Sequence, residues 1–166
     1  MAGLPRVAGA CLLAFAISTA SAQAPGAGVP RVPRADDAAE VTRYAATRDA
    51  AKDISRARAI AAASHKHVLL LIGGDWCKDC RELDRVFAEH PDLTTLRQAR
   101  FVLVKVFLGS ENRNEVVLAQ YPKIDWVPTL IELGDRGEVL RMTPSTEFHR
   151  QEKLDPAKIR RYLENG

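Results

Sequence analysis

Sulfur is scarce in this chain and unevenly placed. Only three cysteines and two methionines occur among 166 residues, too few for a small domain stapled by several bridges, which would carry four or more cysteines at wide spacings. Charge of one sign is lacking as well. A formal net charge of +3 excludes nucleic acid or an anionic membrane surface as the main partner. No apolar run approaches the ~20 residues that a membrane-spanning helix needs, and no internal repeat is visible. Against these absences, 46% hydrophobic and 27% charged residues are ordinary for a soluble globular chain, and the length suits one domain.

The first stretch stands apart. Residues 1–22 combine a basic start at Arg6, an apolar run over residues 7–17 and small residues ending in Ala20, Ser21 and Ala22, the pattern of a cleavable secretory signal. Cleavage would remove Cys11, which leaves Cys77 and Cys80 as the whole thiol inventory, and no membrane insertion is expected after processing. Residues 23–35, with Pro25, Pro30 and Pro33 and no periodicity, are expected to form a flexible spacer. The folded domain should therefore occupy residues 36–166, opening with a helical extension.

The remaining chain is organised around residues 68–83. An apolar run, Val68 to Ile72, passes through Gly73 and Gly74 into Asp75, Trp76, Cys77, Lys78, Asp79 and Cys80, and then into a helical pattern. Two cysteines three apart at a helix start lie one turn from each other, about 5–6 Å between Cα atoms, the separation that a disulfide requires. The helix N-terminus offers unpaired N–H groups and partial positive charge, which favour thiolate at the first position. Cys77 is thus assigned as attacker and Cys80 as resolver, joined in the oxidised state by a Cys77–Cys80 disulfide. Such a bridge closes a tiny loop and adds little stability, so the pair is there for reactivity.

Periodicity supplies the other elements. The Ala-rich residues 37–63 predict one helix, or two broken near Thr47, with Tyr44 as a packing residue. Continuous apolar runs at residues 68–72 and 101–108 predict central strands, parallel if the intervening helix crosses over right-handedly. Helices are expected from the cysteines to about His90, over residues 92–99 and 111–120, and over 155–165. Residues 127–133 and 138–142, separated by the turn at 134–137, read as an antiparallel hairpin.

This order, together with Asp75-Trp76-Cys77-Lys78-Asp79-Cys80 and Trp126-Val127-Pro128-Thr129, resembles the thioredoxin-like superfamily over residues 53–165. More particularly it resembles exported thioredoxin-like proteins and the C-terminal domain of the transmembrane electron transporter DsbD. The resemblance implies an α/β fold with a central mixed sheet flanked by helices and the C-x-x-C pair at a helix N-terminus. It implies a thiol–disulfide oxidoreductase acting on protein thiols and disulfides; no cofactor is expected, the signal points to secretion across the inner membrane into the periplasm, and a membrane electron donor is expected to keep the pair reduced. Pro128 is carried over as a cis proline facing the cysteines. Val127 beside it would offer backbone to an extended substrate, with Trp76 and Trp126 as an apolar rim, a place in the core being the equal alternative for Trp126. One departure stands out: the family's buried aspartate, six residues before the first cysteine, is Leu71 here. Lys105 stands where the family has a partner lysine, or equally is a strand residue that snorkels to solvent; proton handling at Cys80 falls to water, Lys105 or Asp75.

Other uses of paired cysteines fit less well. Haem attachment needs histidine after the second cysteine, where Arg81 stands, and a structural zinc site needs four ligands. His65 and His67 fall at the far end of the first strand, while His90 and His149 read as surface residues. A copper(I) metallochaperone using Cys77, Cys80 and Met142 is the alternative reading, since thiolates select Cu(I). Arg81, Glu82, Asp84 and Arg85 read as surface pairs on the active helix. Between the cysteines, the anion at Asp79 disfavours thiolate while Lys78 and the helix dipole favour it, a balance that predicts a reductase or isomerase poise.

Overall fold

In the computed structural model, residues 40–165, together with residues 1 and 3, are described. The expected signal, the spacer and the start of the predicted helical extension lie outside them. Four strands form the main sheet in the order β2-β1-β3-β4. β1 (His67–Gly73) runs parallel to β2 (Phe101–Phe107), with Leu71 opposite Lys105, and antiparallel to β3 (Thr129–Leu133). β4 (Val139–Pro144) closes the hairpin with β3, through a turn in which Gly137 adopts φ 84°, a value reserved largely for glycine.

β1 is buried on both faces, as a continuous apolar run requires. Leu69 and Leu71 pack with one cluster, under α2 (Lys78–Glu89), α3 (Pro91–Arg100) and α5 (Pro156–Glu164). Val68, Leu70 and Ile72 face the opposite cluster, under α1 (Ala50–Ser64). Pro91 opens α3, where its missing N–H costs nothing. A short 3₁₀ turn (Ser145–Phe148) and the two-residue strands β5 (His149–Arg150) and β6 (Lys153–Leu154), not expected from periodicity, bring the chain from β4 to α5.

Two helix expectations are corrected. The first helix begins at Ala50, capped by Asp49, whose carboxylate accepts from the Lys52 N–H at 3.1 Å. The preceding residues are not helical: Val41 bridges to Val104 on the outer edge of β2, giving its N–H to Leu103 (3.0 Å) and its carbonyl to Lys105 (2.9 Å). Those bonds satisfy part of an otherwise open strand edge. Glu40 anchors the segment, accepting from both terminal nitrogens of buried Arg97 at 2.5 and 3.0 Å.

The helix expected over residues 111–120 shrinks to α4 (Glu115–Leu118). Asn114 is left-handed (φ 48°) and donates its amide to Phe107, while Asn112 donates to Ala46 and accepts from the Asn114 N–H. Such side-chain bonds offer the backbone an alternative to the helical ladder.

Because Leu69 is fully buried in the central strand, Leu69→Ala removes packed methyl groups from a site that can collapse only partly. The expected loss is about 2–5 kcal/mol, read in urea melts as a lower midpoint with an unchanged slope; a loss within about 0.5 kcal/mol, the range of surface substitutions, would contradict the packing described.

Candidate active site: a buried dithiol at a helix start

The end of β1 delivers the chain to α2 through Gly73 and Gly74, and both positions are sterically closed to larger residues. A Cβ on Gly73 would lie 2.5 Å from the Cys80 Sγ and 3.3 Å from the Tyr44 hydroxyl, and one on Gly74 would run into the Trp76 indole. Cys77 is the N-cap of α2, in extended conformation, and its sulfur accepts the Cys80 N–H at 3.2 Å. The Cys77 thiol in turn points at the Val127 carbonyl, 3.5 Å away. The two thiols are free, so the structure represents the dithiol state.

The two cysteines differ in surroundings. Cys77 belongs to a shallow groove lined by Trp76, Lys78, Asp79, Asp125, Trp126 and Val127. Cys80 sits beneath it at 2% exposure. Burial pushes the Cys80 thiol up to about 12, with the neighbouring Cys77 adding to the shift, while the Gly74 backbone and the Tyr44 hydroxyl work the other way. Being harder to ionise, Cys80 is unsuited to be the attacking thiol.

The predicted rim residues surround this pair. Trp76 (57% exposed) is held by its indole N–H donating to the Leu108 carbonyl at 3.1 Å, and Trp126 (53%) stands across the groove. The Val127–Pro128 peptide bond is cis; Pro128 is buried, and Thr129 ties the turn by donating its hydroxyl to the Trp126 carbonyl at 2.6 Å. Lys78 is exposed on the first turn of α2.

Several polar residues fall differently from expectation. Lys105 does not reach solvent: it is buried, its ammonium 2.5 Å from the Asp84 carboxylate and 4.9 Å from the centroid of the Tyr44 ring. Asp84 is therefore no mere surface residue, and neither is Glu82, which accepts the Leu154 N–H at 3.0 Å. Arg81 donates to the Asp75 carbonyl at 2.5 Å. His149, read as a surface residue, brings Nε2 to 3.2 Å from the Asp79 carboxylate, without hydrogen-bond alignment. The Asp79 carboxylate thus has an imidazole as its neighbour. Tyr44 is buried as expected, yet it touches the Cys80 sulfur, a contact invisible in helical periodicity because its segment is not a helix.

His67 lies in the far part of the sheet, bonded at 2.6 Å to buried Glu132, which also receives Arg141 at 2.7 Å. Met142 packs with the α1-side cluster, whereas both cysteines belong to the other face, so the methionine of the copper reading is separated from them by the sheet. Among the described residues, no group of three or more histidine, cysteine or acidic side chains could hold a metal ion.

A helix-capping thiol over a buried second thiol, on a mixed sheet flanked by helices, defines a thiol–disulfide oxidoreductase of the thioredoxin type. Residues 49–133 match the model of the family described as thioredoxin-like, and the chain belongs to that family. No curated protein sequence matches it significantly. Among solved structures, a disulphide isomerase from Xylella fastidiosa Temecula1 superposes with a TM-score of 0.64 at 28% identity, covering 74% of this chain and 94% of that one. The germline-specific thioredoxin Deadhead of Drosophila melanogaster gives 0.50 at 19% identity, over 76% and 97% of the two chains, a likeness of fold.

The asymmetry of the thiols predicts their labelling. With Cys80 protonated until the pH nears about 12, iodoacetamide at neutral pH should modify Cys77 at least about tenfold faster than Cys80, as expected when thiolate fraction controls the rate. In a Cys77→Ser variant the reactivity of Cys80 should rise only in strongly alkaline solution. Equal labelling of the two positions at neutral pH would contradict the site as described.

Proposed function

We propose that the protein reduces or isomerises disulfides in partner proteins through a mixed disulfide on Cys77 that Cys80 resolves. The observation carrying this reading is the placement of the Cys77 sulfur. It accepts a helix N–H and borders the groove between Trp76 and Trp126, while Cys80 lies buried one turn below. Val127 and Trp126 flank the entry of an extended substrate segment, and the two indoles supply an apolar rim for its side chains. The similarity to a disulphide isomerase supports the same direction of chemistry.

In the proposed cycle, the Cys77 sulfur attacks one sulfur of a substrate disulfide in line; the other leaves as a thiol after taking a proton. Cys80 then attacks Cys77, and the substrate departs reduced. Residues 1–22 and the resemblance to exported relatives support a periplasmic location, with a membrane electron donor returning the pair to the dithiol. The poise proposed is reducing or isomerising. Lys78 and the α2 N-terminus bring positive charge to the first turn and Asp79 negative charge, with the His149 ring 3.2 Å from the Asp79 carboxylate.

Two measurements test this. Cys80→Ala should accumulate DTT-sensitive adducts with proteins of the compartment, whereas Cys77→Ala should form none; adducts absent from the first, or equally abundant in both, would refute the roles. Equilibration of the purified protein with glutathione should give a potential below about −200 mV, whereas a value near about −120 mV, that of a strong oxidant, would overturn the proposed direction.

A further inference from the structure

Resolution of a mixed disulfide requires negative charge to gather on Cys80, and its pocket is poorly suited to charge. The sulfur is packed against Gly73 with Leu83 among the surrounding apolar side chains, and Leu71, on the same face of β1, offers no polar atom. The Cys80 sulfur and the Tyr44 hydroxyl converge on one side of Gly73, 2.5 and 3.3 Å from where its Cβ would stand, and a hydrogen bond from that hydroxyl works against the effect of burial on the Cys80 thiol.

Tyr44 is held there by contacts on several sides. Its segment is fixed to the edge of β2 through Val41, and to α3 through Glu40 and Arg97. Asn112 grips the Ala46 carbonyl two residues on, at 2.8 Å. The Lys105 ammonium lies over the ring at 4.9 Å and is itself anchored by Asp84 at 2.5 Å. A cation over an aromatic face is attracted by the ring, which holds the ring in place beneath it.

From this arrangement we infer that the Tyr44 hydroxyl is a catalytic group of the resolving step, donating a hydrogen bond to the Cys80 sulfur as that sulfur becomes the nucleophile, with Lys105 and Asp84 positioning its ring. The inference rests on the proposed roles of Cys77 and Cys80. In the step, the Cys80 sulfur forms a bond to the Cys77 sulfur, and the bond between Cys77 and the substrate sulfur breaks. Its electron pair leaves on the substrate sulfur, and the proton given up by Cys80 reaches that sulfur through solvent. The substrate is reduced and the Cys77–Cys80 pair oxidised; no other reagent enters. Tyr44 keeps its proton throughout. Burial, together with the negative charge that Cys80 and Asp84 bring to its surroundings, holds its hydroxyl well above the ordinary tyrosine range, so it serves as donor and not as base.

Tyr44→Phe deletes this donor and preserves the ring under Lys105. A single-turnover reaction with a disulfide peptide, quenched with acid and read by mass, separates attack from resolution. Attack by Cys77 should proceed at the native rate, whereas decay of the mixed disulfide should slow about ten- to a hundredfold, as expected for loss of a hydrogen bond to a charged acceptor. The slowing should be confined to the resolving step, with attack unchanged at every pH measured, a split that a purely structural role would not produce. Fluorotyrosine in place of Tyr44, a stronger donor of the same shape, should resolve at least as fast as the native side chain, and this arm stands should the phenylalanine variant fail to fold.

Resolution at the native rate in Tyr44→Phe at every pH would overturn the inference, as would equal slowing of both steps or slower resolution with fluorotyrosine. The Cys80→Ala variant separates the two levels. If it traps adducts while Tyr44→Phe resolves normally, only the role of Tyr44 falls; if it traps none, the assignment beneath it falls as well.

Discussion

A close approach at Gly73 governs how this site is assembled. The last residue of β1 must carry no side chain, because a Cβ there would press on the Cys80 sulfur at 2.5 Å and on the Tyr44 hydroxyl at 3.3 Å. Only with that space empty can α2 seat its first turn against the sheet end, and only then can the segment before α1 reach the second thiol. Cores packed as tightly as this one tolerate little displacement. The spacing of the two sulfurs, the cover over Cys80 and the opening of the groove at Cys77 therefore depend on one another.

Much of this was legible in the sequence for a physical reason. Strands buried on both faces advertise themselves as unbroken apolar runs, and β1 and β2 fall where residues 68–72 and 101–108 suggested. A C-x-x-C pair ahead of a helical pattern places its sulfurs by local geometry alone. Contacts between distant polar residues have no such trace. Lys105 with Asp84, His149 with Asp79 and Tyr44 with Cys80 join residues 21 or more positions apart, and nothing in local periodicity distinguishes them from solvated side chains. The segment around Val41 misled for the opposite reason: its composition favours helix, yet the open edge of β2 offered its backbone better partners.

The buried ionic groups divide into small closed sets. Glu132 takes both His67 and Arg141, Arg97 takes Glu40, and Lys105 takes Asp84. Pairs of this kind seldom stabilise more than apolar residues of equal volume would, because desolvation offsets much of their attraction. Their effect here is to select one arrangement: Glu132 ties β1 and β4 to β3, Arg97 fixes the entering segment to α3, and Lys105 ties β2 to α2.

The entering segment bears on how the second thiol is enclosed. The stretch shared with the thioredoxin-like family begins at residue 49, so Glu40, Val41 and Tyr44 lie ahead of it. The neighbour of the second thiol thus comes from ahead of the matched stretch and is clipped to the sheet edge through two backbone bonds at Val41 and one carboxylate. The surroundings of the less reactive sulfur are therefore set in part by a peripheral segment, separate from the strand and the cysteine helix that place the sulfur itself.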